Sequence, residues 1–144
     1  YNIYNIYNII MPSKTKRKSN KKFNVVQFML HLLMTIKLYH WITSSYATHE
    51  ATNKLYNDLN IQIDMFVEVM LGKGVSRDMV NVRGFTFKKF SFKQFKRYIE
   101  GCKKTLVNLP SLCKEVNTSD TDLLNIRDEI LALLNQFTYL LTFQ

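Results

Sequence analysis

Four side chains that commonly bind metal ions lie between residues 40 and 68, in two groups. His40 and His49 are nine residues apart, and Asp64 and Glu68 follow at a spacing of four. Two imidazoles and two carboxylates form a ligand set that suits Fe(II), Mn(II) or Zn(II). We take these four residues as candidate metal ligands, with Trp41 as the nearby aromatic residue.

Hydrophobic periodicity predicts that the two histidines lie on consecutive helices. Residues 23–42 are strongly apolar, and the residues at helical spacing before His40 place it on a buried stripe: Met29, Leu32, Leu33 and Ile36. His31 lies about 180° round this helix from His40, so we leave it out of the ligand set. A second helix is predicted from about 47 to 71, after capping residues at 43–45 and before Gly72 and Gly74.

The first apolar stretch has an alternative interpretation as a signal peptide, because a basic segment precedes it. A membrane span needs roughly 20 uninterrupted apolar residues. Polar residues break this stretch earlier: Asn24, Gln27, His31, Lys37 and His40. We therefore favour a core helix.

The remainder of the chain predicts two further helices, so the expected class is all-α. Residues 73–90 show no helical period and could form a packed loop or a short strand. Extended, they span up to roughly 60 Å, enough to cross a 25-residue helix of about 37 Å. The third helix is predicted from Ser91 to about 107, with Pro110 ending or kinking it, and the fourth from 119–121 to about 141.

Positive charge is concentrated near the beginning of the chain, whose net charge is +9. Residues 1–10 repeat Tyr-Asn-Ile and are interpreted as upstream sequence or an expression remnant. The basic arm that follows contains Lys14, Lys16, Arg17, Lys18, Lys21 and Lys22. We expect residues 1–22 to be disordered and 23–144 to form one domain, and the arm is either merely solvated or a tail that binds nucleic acid.

Cys102 and Cys113 are the two cysteines. On one helix they would lie roughly 16 Å apart, beyond disulfide reach. They indicate ordinary thiols in a reducing compartment, and we expect a cytoplasmic or nucleic-acid-associated protein.

The ligand pattern resembles the Dps family, the ferritin-like DNA-binding proteins from starved cells. In that family a His-Trp pair ends the first helix and a His-Glu pair opens the second. An aspartate follows fifteen residues later and a glutamate four after that, as at Asp64 and Glu68 here. Residues 120–124 and 137–141 also resemble the start and end of its last helix.

The resemblance implies a ferritin-like four-helix bundle that binds iron at a dimer interface, oxidises Fe(II) with peroxide or oxygen, and assembles into a shell of up to twelve subunits. It also implies DNA binding through the basic arm. From the charged fraction and the interrupted apolar stretch, we expect no membrane partner. The sequence departs from the family in its shorter first turn, since the family's two histidines are twelve residues apart, and in residues 137–139, which lack the family's Lys-His-Trp type residues. The crossover shows no sign of the family's extra interface helix.

A single chain cannot bring all four ligands together. His49 and Asp64 are fifteen residues apart on one predicted helix, or about 22 Å, whereas a metal–ligand bond is about 2 Å. If the second helix crosses its own copy antiparallel near residues 56–59, His49 of one chain meets Asp64 and Glu68 of the other. The proposed site therefore requires at least a dimer.

Simpler interpretations stay open for each ligand. A histidine on an apolar helix face is commonly a hydrogen-bonded core residue, and Asp64 and Glu68 could pair with Lys54 or Lys73. The corresponding functional alternative is a non-catalytic DNA-binding or scaffolding protein that keeps the fold without metal.

Overall fold

The computed structural model describes residues 23–82 and 84–143, which form helices and loops without strands. The elements, in chain order, are α1 (Val25–Ile42), α2 (Tyr46–Gly72), a 3-10 turn (Arg77–Val80), α3 (Phe92–Val107), α4 (Leu109–Leu112) and α5 (Thr121–Leu140). The predicted all-α class is confirmed for this part of the chain. The basic arm and the rest of residues 1–22 lie outside the described residues.

Side-chain caps define where the first two helices begin. Asn24 accepts a hydrogen bond from the backbone N–H of Gln27, and Ser45 accepts one from Thr48. The predicted cap in the 43–45 turn is therefore confirmed. After α2 the chain turns at Gly74, whose φ of +89° is a left-handed conformation that glycine adopts without strain.

The four long helices share one core, and their ends show how they run. Lys73, just after α2, pairs with Asp122 at the start of α5 at 2.9 Å, so α2 and α5 are antiparallel. The ring of Phe95 near the start of α3 stacks on Tyr39 near the end of α1, with 3.8 Å between centroids. Phe95 also lies 6.0 Å from Phe137 near the end of α5. The start of α3 is therefore at the same end of the molecule as the start of α2.

The crossover, residues 73–90, runs along α1 from its beginning to its end. The side chain of Asn24 donates to the carbonyl of Met79 at 3.1 Å, and the ring of His31 bonds the carbonyl of Thr86 at 3.2 Å. Phe90 then lines a small cavity with the last turn of α1. The strand predicted as one alternative is wrong for the described part of this segment, whose contacts to α1 are made through side chains.

Most of α1 is buried as a result. It is the one described helix that is long and apolar enough to cross a membrane, and 67% of that span is buried inside the protein. His40 is 7% exposed, on the buried stripe where its spacing predicts it.

The third helix ends before Pro110. α3 stops at Val107, and Pro110 lies in the first turn of the short α4. Cys113 follows α4, so it does not share a helix with Cys102 and the 16 Å separation calculated for a single helix does not apply. Both cysteines are buried, and they do not form a disulfide with each other.

Replacing Ser91 by Ala should lower the free energy of unfolding by about 1 kcal/mol. Ser91 accepts from the N–H of Gln94 at 3.4 Å, and the Gln94 side chain accepts from the N–H of Ser91 at 2.9 Å, so the substitution breaks a reciprocal cap. Denaturant titration measures the effect. The matched control is Ser111→Ala, an exposed serine in α4, which should change stability by less than about 0.5 kcal/mol. Equal losses in the two variants would contradict the capping role.

Candidate functional site

The two candidate histidines meet across the turn between α1 and α2. His40 is in the last turn of α1 and His49 in the first turn of α2. Their rings stack with 3.8 Å between centroids and 25° between planes. The short turn, 43–45, brings the helix ends close enough for this contact. The structure thus places two of the four predicted ligands side by side within one chain.

Each histidine binds the other's backbone. Nδ1 of His40 lies 3.0 Å from the carbonyl oxygen of His49, and Nδ1 of His49 lies 3.1 Å from the carbonyl oxygen of His40. A carbonyl only accepts, so each Nδ1 must carry the proton. In the neutral rings each Nε2 then holds a lone pair, which is the form that binds a metal ion.

The same contacts hold the rings in place. The hydroxyl of Thr52 donates to the carbonyl of Thr48 at 2.7 Å and places its oxygen 3.3 Å from Nδ1 of His40. His49 also satisfies a carbonyl in the last turn of α1, where helical carbonyls lack partners within the helix. Trp41 is 66% exposed beside this pair, with the ammonium of Lys37 5.7 Å from its ring.

The two candidate carboxylates lie on the surface, away from the histidines. Asp64 and Glu68 are both exposed on α2. Their predicted partners pair elsewhere, because Lys54 binds Asp58 at 2.7 Å and Lys73 binds the acidic residues at the start of α5. The alternative of an ion pair with either lysine is therefore wrong. No ion pair of Asp64 or Glu68 occurs within residues 23–82 and 84–143.

One long stripe of α2 faces solvent and contains both carboxylates. We call it the α2 outer face: Glu50, Asn57, Ile61, Asp64, Met65 and Glu68. Ile61 is 59% and Met65 45% exposed, so two large apolar side chains lie among the charged and polar residues of this face. Leu59 is fully buried and Tyr56 is half-buried under Lys37, so Asn57 is the residue that this face presents at the predicted crossing point.

Within the described residues, no three His, Cys, Asp or Glu side chains converge to hold a metal ion. One chain supplies the imidazole pair at one end of α2 and the carboxylate pair towards the other. Within one chain, the described structure therefore brings together only the two histidines of the four predicted ligands.

A second polar cluster, missed by sequence reasoning, lies around His31. The hydroxyl of Tyr98 bonds Nδ1 of His31 at 2.8 Å, while Nε2 bonds the carbonyl of Thr86. Because that carbonyl only accepts, Nε2 carries a proton. In the neutral ring, Nδ1 is then the acceptor and the hydroxyl of Tyr98 is the donor. Burial lowers the pKa of His31, which the hydrogen bond to Thr86 only partly opposes.

Burial also keeps Tyr98 and its neighbour Cys102 protonated. It raises the pKa of Tyr98 well above its usual value and that of Cys102 to about 12. A thiol in this state is a poor nucleophile and a poor metal ligand. The cluster therefore ties α1, α3 and the crossover together. Its members are distant in sequence, and no local pattern pairs them.

Comparison with known proteins identifies a family. The model of a family of unknown function, DUF5856, matches residues 40–141. The chain belongs to this family. The DUF5856 match includes both histidines and both carboxylates of the candidate site. No curated protein and no solved structure matches the chain significantly.

Protonation of His31 should make stability depend on pH. Its pKa in the folded protein is below the unfolded value of 6.5, so the unfolded chain binds the extra proton first as the pH falls. The free energy of unfolding should therefore decrease below about pH 6.5, by at most about 1.4 kcal/mol per pH unit from this group.

Denaturant titrations between pH 7.5 and 5 measure this slope. The variant His31→Gln keeps a donor and an acceptor but does not titrate, so its slope should be shallower than that of the wild type. Identical slopes would contradict the assignment of a neutral, buried His31.

Proposed function

We propose that this chain is a Dps-like ferritin-fold protein that binds and oxidises iron at a two-fold interface between subunits. The observation that carries the proposal is the His40–His49 pair, whose rings stack and whose reciprocal backbone bonds use Nδ1 and leave each Nε2 for another partner. Histidines that bind metals characteristically donate their other ring N–H to a carbonyl or carboxylate, as these two do.

The directions and connections of the helices support a ferritin-like fold. α1 and α2 are antiparallel neighbours, the crossover returns along α1, and α3 starts beside the start of α2. α5 then runs antiparallel to α2. One long crossover between the second and third helices of a four-helix bundle is the connection that ferritin-like folds use.

The α2 outer face supports the shared site. In an antiparallel crossing centred on Asn57, the imidazole pair of one subunit lies towards Asp64 and Glu68 of the other. Both carboxylates are exposed and without ion pairs in the described residues, and Ile61 and Met65 offer apolar area for the contact.

Each ligand type has a distinct role in the proposed reaction. The neutral imidazoles bind Fe(II), and the carboxylates stabilise the Fe(III) that forms. Hydrogen peroxide accepts two electrons, one from each of two Fe(II) ions, and its O–O bond breaks to give two molecules of water after protonation. Trp41, exposed beside His40, is placed to donate an electron to a radical that escapes the site.

Iron oxidation should be lost in single variants and recovered by mixing them. His49→Ala and Asp64→Ala should each abolish the absorbance growth that Fe(II) and peroxide produce. Refolded together one to one, they should regain about a quarter of the wild-type sites, since half the dimers are mixed and each mixed dimer has one intact site.

The matched control mixes His49→Ala with His40→Ala. Both histidines belong to the same half of a site, so every site in this mixture is damaged and no recovery is expected. Recovery in both mixtures, or in neither, would contradict the shared site. A wild-type protein that binds no iron would leave the non-catalytic scaffold as the function.

The mass in solution tests the interface separately. The wild type should have at least about twice the monomer mass of 17.1 kDa. Ile61→Lys should shift it towards the monomer, because a symmetric interface would bury two added charges. Val107→Lys, at a residue 60% exposed on α3, is the control and should leave the mass unchanged. A wild-type monomer would refute the proposed site.

A further inference from the structure

Basic residues cluster on the end of the crossover and the exposed side of α3. Residues 88–104 contain seven Lys and Arg residues and one acidic residue, Glu100. Glu100 is paired with Lys103 at 2.7 Å. We call the six others the α3 basic face: Lys88, Lys89, Lys93, Lys96, Arg97 and Lys104.

None of these six has a carboxylate partner within residues 23–82 and 84–143. Elsewhere the described lysines near acidic groups do pair, as Lys54 does with Asp58 and Lys73 with Asp122. The field of the α3 basic face is therefore not cancelled locally. A surface of this kind attracts a polyanion from solution.

The face is also concave. A depression of about 470 Å³ is lined by four cationic residues, by Glu100, which is paired with Lys103, and by Phe92. The four are Lys93, Lys96, Arg97 and Lys104. A second depression of about 390 Å³ shares Phe92 and is lined by Phe90, Lys89 and uncharged residues of the turn between α1 and α2. The two depressions therefore meet at Phe92, and the cations lie mainly in the first.

Aromatic rings among the cations narrow the identity of the ligand. Phe92 lies 5.4 Å from the ammonium of Lys96, and Phe87 is 37% exposed next to Lys88. A ligand that carries only phosphates would need only the cations. Unpaired bases, in contrast, stack on aromatic rings and on planar guanidinium groups such as that of Arg97. A surface with cations for the phosphate backbone and aromatic rings for the bases suits a single-stranded nucleic acid.

We propose that the α3 basic face binds single-stranded nucleic acid, with its cations on the phosphates and Phe92 against a base. The residues of this face do not include those of the basic arm, and the proposal does not depend on the iron site. It belongs to α3, whereas the proposed dimer uses α2, which packs mainly against α1 and α5. Subunit pairing and nucleic-acid binding can therefore occur together.

Binding of a labelled single-stranded 20-mer by the full chain tests the proposal. The triple variant Lys93→Gln, Lys96→Gln, Arg97→Gln should bind about 10- to 100-fold more weakly at 0.1 M salt, and the slope of log affinity against log salt should decrease by about 2. Phe92→Leu should weaken binding of the single-stranded 20-mer. It should leave binding of heparin unchanged, because heparin is a polyanion without bases.

The matched control removes three positive charges elsewhere, by Lys54→Gln, Arg77→Gln, Lys114→Gln. It should change affinity less than about threefold. Equal weakening by both triple variants would show a net-charge effect and overturn the proposal.

Two other outcomes would overturn the proposal. In the first, duplex DNA binds at least as tightly as the single strand. In the second, the α3 triple variant loses binding to anionic phosphatidylserine vesicles but keeps its affinity for the 20-mer. A change of solution mass in the α3 variant, without a change in 20-mer affinity, would assign this surface to a second copy of the chain.

Discussion

The apolar surface all round α1 is the constraint on which the rest of the structure depends. A helix that is apolar on every side has to be covered on every side. α2 covers one side, the aromatic residues of α3 another, and the crossover extends along its length from Asn24 to the last turn. Because the crossover runs along α1 to its last turn, α3 begins at that end of the molecule. The direction of α3 and the arrangement of the four long helices follow from this.

Burial of α1 also determines what its two histidines can do. His31, inside the fold, has both ring nitrogens engaged and acts as a structural tie between elements. His40, at the helix end, bonds the backbone through Nδ1 alone. The same residue type thus ties elements together in mid-helix, whereas at the turn its Nε2 is the atom on which the proposed metal site depends.

Local signals in the sequence correctly predicted where several helices begin or end. Ser45, Ser91 and Gly74 define helix ends through contacts with near neighbours, which a single stretch of sequence contains. The partnership of His31 with Tyr98 joins residues 67 positions apart, and no local pattern encodes it. The sequence places His31 about 180° round α1 from His40 and leaves it out of the ligand set, but it does not show that His31 is buried, because α1 is covered on that side by distant parts of the chain. The α3 basic face could not be recognised from the net charge of the chain. The acidic residues of α2 and α5 offset its positive charge in that sum.

In the proposed dimer, the charges of the interface would couple subunit pairing to metal binding. In an antiparallel crossing centred on Asn57, Glu50 of one subunit faces Asp64 of the other, and the exposed Glu68 lies nearby. Without a cation these carboxylates repel across the interface, while apolar contact through Ile61 and Met65 favours association. A divalent ion at the site replaces that repulsion with attraction. Subunit pairing and metal binding would then strengthen each other by the same factor, because coupling between two binding equilibria is reciprocal.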